Sequence, residues 1–192
     1  MSVLEYQEMS DEALLERSGE EREVFGYLIE RYESRLRRYL KRLMPGLGSD
    51  ADDVLQEIFI KAYVNMRSFD TSMSFSSWIY RIAHNEAVSW LRKKKARPET
   101  IDLGEDDLRT FASSMQDSLL STQQHYSKDA VHRALAVMPE KYRSVLVLRF
   151  LEGRSYEEMG DILAVPGGTV ATLVHRAKKM FSDTYTHHEQ HS

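Results

Sequence analysis

The chain of 192 residues contains no cysteine. Disulfides, thiolate metal sites and cysteine nucleophiles are therefore excluded. No apolar run approaches the roughly 20 residues that a membrane helix needs, so membrane insertion is not expected. The stretch Met1 to Glu8 is polar and acidic, which is not an export pattern, and the expected location is the cytoplasm. Only four prolines occur, and they sit at segment boundaries. Strand-like alternation is scarce. No phosphate loop, paired carboxylates or nucleophile with its base stands out, so neither catalytic residues nor a cofactor is expected. His187, His188 and His191 cluster in a polar tail, but no cysteine or acidic cage accompanies them and no metal is assigned.

What is present is an ordinary soluble composition, 42% hydrophobic and 29% charged. The net charge of -4 hides strong segregation. Residues 1 to 34 are acid-rich, with Arg17, Arg22 and Arg31 as the only bases. Arg35, Arg37, Arg38, Lys41 and Arg42 follow with no acid among them. A second basic run is Arg92, Lys93, Lys94, Lys95 and Arg97, and a third is Arg176, Lys178 and Lys179. Any one run reads equally as a solvated helix face. Screening beyond about 10 Å nevertheless lets a local basic patch bind phosphate whatever the total charge.

Hydrophobic spacing reads as helix almost throughout. Ser10 caps a first helix to Arg17. Phe25, Leu28, Ile29, Tyr32, Leu36, Tyr39, Leu40 and Leu43 recur at three- and four-residue spacing over about 20–43. Pro45-Gly46-Leu47-Gly48 ends that segment. A third helix runs from Ser49 to about Arg67, with Asp50, Asp52 and Asp53 at the positive end of its dipole. After the loop Ser68 to Ser74, a fourth helix spans about 75–95. The stretch 99–127 has poor periodicity, frequent serine, and the acids Glu99, Asp102, Glu105, Asp106, Asp107 and Asp117 against Arg109 alone. It reads as a linker, at most locally helical. Helical segments resume over 128–137, 139–151, 155–163 and 168–182. The expected fold is all-α: two small helical domains, 1–97 and 128–183, joined by an acidic flexible linker over 98–127 and followed by a polar tail, 184–192.

The clearest motif starts at Ser155, which with Glu158 forms a capping box. Met159, Ile162 and Leu163 give the first helix an apolar stripe. Pro166-Gly167-Gly168 breaks the chain, and Gly168 or Thr169 caps the next helix. There Val170, Val174 and Ala177 face inward. Thr169, Ala171, Thr172, His175 and Arg176 face outward, with Lys178 and Lys179 following. A short helix, a tight turn and a second helix with a basic end make a helix-turn-helix that reads a major groove, against the plainer alternative of a hairpin in a core.

With these residues in view the chain resembles the extracytoplasmic-function sigma factors of bacterial RNA polymerase, over about 20–97 and 128–182. The carrying stretches are Asp52-Asp53-Val54-Leu55-Gln56-Glu57-Ile58-Phe59, Phe75-Ser76-Ser77-Trp78-Ile79-Tyr80-Arg81-Ile82-Ala83-His84-Asn85, and Met138-Pro139-Glu140-Lys141-Tyr142-Arg143 with the helix-turn-helix. The resemblance implies a non-catalytic promoter-specificity subunit. It implies that Asp52, Asp53, Gln56, Glu57 and Ile60 meet the clamp coiled coil of core polymerase, whose flap meets domain four. Ser68, Phe69, Asp70, Thr71, Trp78, Arg81, Asn85, Arg92, Lys93 and Lys94 would read and open the minus-ten element, with a base flipped toward the 68–74 loop. Ser155, Thr169, Ala171, Thr172, His175, Arg176, Lys178 and Lys179 would face the minus-thirty-five element. An anti-sigma factor is a further expected partner.

One departure stands out. The family places basic residues among the positions held here by Ala171, Thr172 and Leu173. Weakened or altered minus-thirty-five reading follows, and with it the idea of a DNA-bound protein that recruits the factor. The linker acids imply a segment that imitates nucleic acid in the polymerase channel, or else a plain tether. Two rivals are a one-component helix-turn-helix regulator, against which the tandem motifs speak, and a protein-binding adaptor, against which the basic runs speak.

Overall fold

The computed structural model describes residues 3–44, 46–94, 101, 103–119 and 128–189, and among these there is helix and no strand. The N-terminal unit comprises α1 (Val3–Glu8), α2 (Asp11–Arg17), α3 (Phe25–Leu43), α4 (Ala51–Asn65) and α5 (Phe75–Lys94). Ser10 caps α2 by accepting from the Ala13 amide at 3.1 Å. The spaced apolar residues of α3 are buried: Phe25, Leu28, Tyr32, Leu36, Tyr39, Leu40 and Leu43. Against them pack Val54, Leu55, Ile58, Phe59 and Ala62 of α4, and Phe75, Trp78 and Ile79 of α5. The short α2 ties these helices together. Asp11 pairs with Arg31 at 2.7 Å and accepts from the Tyr32 hydroxyl. Glu12 accepts from the Phe75 amide at 2.9 Å and so serves the start of α5 from a distant part of the chain.

The C-terminal unit comprises α7 (Lys128–Val137), α8 (Glu140–Leu146), α9 (Tyr156–Leu163) and α10 (Gly167–Glu189). A π-helical turn, Val147–Leu151, prolongs α8. The capping box at Ser155 and Glu158 is formed from both sides, at 3.1 and 2.8 Å. The turn after α9 is built differently from the sequence expectation. Ala164 takes the left-handed conformation, with φ of 54°, while Gly167 and Gly168 already belong to α10. The Pro166 carbonyl, rather than a side chain of Gly168 or Thr169, accepts the first amides of that helix, those of Thr169 and Val170. Gly160 makes the turn possible: a Cβ there would lie 3.0 Å from the Val165 carbonyl oxygen.

Much of the segment read as a linker is helix α6 (Glu105–Leu119). Leu108, Phe111 and Met115 fall three and four residues apart. Phe111 and Met115 are fully buried, and Phe111 meets Phe181 edge-on at 5.1 Å. The intervening serines and acids hide this short stripe in the sequence. Residues 184–189, read as tail, continue α10, and Tyr185 is buried beside Phe181.

The two units pack against each other, α5 lying along α9 and α3 reaching α8 and the π turn. The interface is rich in polar groups. Arg42, with only 7% of its surface exposed, pairs with Asp107 of α6 and with Glu152 at 2.5 Å. Arg143 donates to the carbonyls of Leu135, Ala136 and Met138 at the end of α7, and to that of Leu43 at the end of α3. Burial away from a partner carboxylate lowers its pKa to about 10, so it stays charged near neutrality.

Candidate polymerase and nucleic-acid interfaces

Helix α4 divides cleanly into two faces. Val54, Leu55, Ile58, Phe59 and Ala62 are buried, while Asp52, Asp53, Gln56, Glu57 and Ile60 are exposed. Asp52 is held by Arg37, which also pairs with Glu33 at 2.9 Å. Between α3 and α4 lies an apolar groove of about 540 Å³, lined by Ile29, Leu55, Phe59, Ile60, Tyr63 and others. Val64, 72% exposed, and Ile60, 48% exposed, stand at its rim. Two exposed large apolar side chains one turn apart, beside a groove and fringed by Asp52 and Gln56, fit the side of a partner helix. The sequence reading found the polar fringe and Ile60. It missed Val64 and the groove, because a residue on the last turn of a half-apolar helix reads as core.

The second set of residues lies on α5 and the loop before it. Asp70 accepts from the Ser72 amide at 2.9 Å, and that bond holds its carboxyl below the usual carboxylate range. The Ser68 hydroxyl donates to the Asn65 carbonyl at 2.8 Å. Thr71 is exposed. Phe69 and Trp78 meet edge-on at 5.3 Å, and Trp78 is buried, so its ring serves chiefly as core. Asn85, Arg92 and Lys93 are exposed along α5. Lys94 ends the helix, and its side chain lies outside the described residues, as do Lys95, Arg97 and the histidine side chains of the tail. Arg81 is different. Its Nε donates to the Asp161 carbonyl of α9 at 2.5 Å, which takes it off the free surface.

The third set is the outer face of α10. Val170, Val174 and Ala177 are buried, while Thr169, Ala171, Thr172, His175, Arg176 and Lys179 are exposed, with Lys178 half-buried beside them and Ser155 exposed at the start of α9. The Thr172 hydroxyl donates back to the Gly168 carbonyl at 3.1 Å. Leu173 packs, partly buried, on the core. This is the groove-reading geometry: a stabilising helix, a tight turn and a second helix with one polar, partly basic face.

Residues missed by the sequence reading cluster where the two units meet. Tyr80 donates to Glu152 at 2.8 Å, and the guanidinium of Arg154 lies 4.1 Å from the centre of the Tyr80 ring. Arg154 also donates to Ser76 at 2.9 Å. His84 sits 3.2 Å from the Tyr39 hydroxyl and 3.7 Å from Glu140. No local pattern marks such residues, because their partners lie 45 to 80 positions away.

A helical unit with a partner groove, a second unit with a helix-turn-helix, and basic faces on both define a tandem-region transcription factor. Residues 28–97 match Sigma-70 region 2, and residues 128–181 match Sigma-70 region 4. The chain is 32% identical over 164 residues to the ECF RNA polymerase sigma factor SigW of Bacillus subtilis (strain 168), covering 83% of this chain and 87% of that protein. It is 32% identical over 187 residues to the ECF RNA polymerase sigma-E factor of Haemophilus influenzae, covering 92% and 96%. CnrH, solved in complex with the cytosolic domain of CnrY, shares the fold, with a TM-score of 0.64 at 21% identity over 90% of this chain and 95% of that one. The chain belongs to the ECF RNA polymerase sigma factors. It is thus a sigma factor for promoter recognition by RNA polymerase, and among the described residues no helix is long and apolar enough to cross a membrane.

Proposed function

We propose that the chain binds core polymerase through the α3–α4 groove, with Asp52, Asp53, Gln56, Glu57 and Ile60 meeting the clamp coiled coil and Val64 adding apolar contact. The observation that carries this reading is the two-faced α4: a fully buried core side, and an outer side with Ile60 and Val64 exposed beside an apolar groove. In the bound factor α5 and the 68–74 loop lie on the minus-ten element. Asn85 reaches base edges, Arg81, Arg92, Lys93 and Lys94 hold phosphates, and the loop receives a flipped base. Helix α10 lies on the minus-thirty-five element. The polymerase supplies the chemistry, and the chain itself catalyses nothing.

Reading of the upstream element is weak. Ala171 and Thr172 are exposed where basic residues would serve, Thr172 spends its hydroxyl on its own helix, and Leu173 is turned to the core. His175, Arg176, Lys178 and Lys179 remain for phosphates. Each absent phosphate contact lowers the salt slope of binding by about one unit. A DNA-bound protein that recruits this factor would make up the deficit. An anti-sigma factor is the other partner we propose, since the related RpoE of Bartonella quintana was solved with the anti-sigma factor NepR.

Run-off transcription with core polymerase on templates with intact and scrambled upstream elements tests this reading. Promoter-dependent product is expected on both, with a modest loss on scrambling. No promoter-dependent product would contradict the function, and a large loss on scrambling would contradict weak upstream reading.

A further inference from the structure

The α3–α4 groove of the free chain is open, whereas the promoter-facing side of α5 is partly covered by α9. The covering contacts use residues suited to DNA. Arg81 is held by the Asp161 carbonyl, and Ser76 by Arg154. Arg154 lies immediately before Ser155, the cap of the helix that crosses the DNA backbone when a helix-turn-helix docks. Its side chain is only 12% exposed, spread over Tyr80 and paired with Glu158 at 2.9 Å.

Beside these contacts lies an ionic node drawn from three segments. Arg42 comes from α3, Asp107 from α6, and Glu152 from the turn after α8. Glu152 also takes the Tyr80 hydroxyl. A buried ion cluster fixes geometry strongly but adds little net stability, because every member regains water when it separates. Removing the carboxylates alone strands the arginine and favours separation. Such an interface parts more readily than an apolar one of the same size, as a two-state element requires.

We propose that closure and DNA binding compete for the same residues: Arg81 and Arg154 close the free chain and contact the DNA backbone in the open one, and the Arg42–Asp107–Glu152 node is the latch. This rests on the promoter-binding reading above and adds its regulation. Arg154 becomes a DNA contact that the exposed face of α10 alone does not suggest. The linker helix gains a role in the free state, since Asp107 is the carboxylate that moves away with it.

The test uses the full chain and a double variant, Asp107→Asn with Glu152→Gln. A control, Glu105→Gln with Asp106→Asn, removes the same charge from exposed positions. X-ray scattering reports closure, since a compact chain of this length has a radius of gyration of about 16 Å. Anisotropy of a labelled promoter duplex reports binding. The double variant is expected to expand by roughly 3 Å or more and to bind duplex about tenfold tighter, as a shifted closed–open equilibrium requires. The control should match the wild type. Arg154→Ala should expand equally yet bind at least about threefold more weakly than the double variant, having lost a phosphate contact. An unexpanded double variant overturns the latch. Expansion without tighter binding, or an equal gain in the control, overturns the competition, and equal binding by Arg154→Ala overturns its dual use. If no chain acts at the promoter with core polymerase present, the promoter reading fails, while scattering still judges the latch.

Discussion

The outer faces of α4 and α5 belong to one helical unit, yet they meet the rest of the molecule in opposite ways. Around α4 the apolar groove and its rim, Ile60 and Val64, stand clear of the C-terminal unit. Along α5 Ser76, Tyr80, Arg81 and His84 are engaged by residues of that unit. The contrast teaches an order of events. A partner that recognises the groove can dock on the chain as it stands. A partner that needs Arg81 must first displace α9.

Arg143 offers the strongest way to break the closed side. It serves four buried carbonyls, one of them on α3, and Arg143→Ala should cost about 3 kcal/mol of stability. Thermal denaturation checks this. Near-wild-type melting would mean that water replaces the guanidinium and that the interface is looser than described. On the open side, Ile60→Asp combined with Val64→Asp should weaken core-polymerase binding at least about thirtyfold, roughly 2 kcal/mol, while the isolated chain keeps its melting temperature. Charge reversal at Asp53 and Glu57 should weaken it less, because rim charges act mainly on the association rate. Titration of labelled chain against core polymerase measures both.

A smaller effect sharpens the comparison through pH. The groups facing His84 are Tyr39 on α3 and Glu140 on α8. Burial pushes the imidazole below its ordinary value of 6.5, and the Glu140 charge only partly opposes this. Closure is therefore favoured by neutral His84 above about pH 6.5, and that share is lost as the pH falls toward the lowered pKa. Scattering between pH 7.5 and 5.5 should show the chain expanding on acidification, and His84→Asn should flatten the change. A wild-type profile that is already flat would exclude His84 as a contributor. The smallest effect lies in the turn. Ala164 holds a positive φ, so Ala164→Gly should stabilise the C-terminal unit by about 0.5–1 kcal/mol, and Gly160→Ala should destabilise it by pressing on the Val165 carbonyl. Chemical denaturation of both variants reads this.

What was legible in the sequence was local. The apolar stripes of α3 and α4, the cap at Ser10 and the capping box at Ser155 each depend on neighbours within a turn or two, and each forms as expected. The same holds for the outward faces of α4 and α10. The turn after α9 was placed correctly but assigned to the wrong residues, since glycine suggests the left-handed position and Ala164 holds it instead. Helix α6 escaped notice because only Leu108, Phe111 and Met115 carry its stripe among acids and serines. Arg42 and Arg143 read as members of a basic run and a helix start, yet they are buried by partners roughly 65 to 110 residues away. Long-range polar contacts leave no periodic trace.

The asymmetry between the two faces can be measured directly. The absence of cysteine allows dyes to be placed at Glu30→Cys and Ser182→Cys alone, both exposed, one in each unit. Energy transfer between them is followed while core polymerase is added without DNA. The account predicts high transfer in the free chain, and a fall that tracks occupancy of the groove and is absent when Ile60 and Val64 carry aspartate. Low transfer in the free chain, or high transfer that persists on a core polymerase already saturated with the factor, would contradict it.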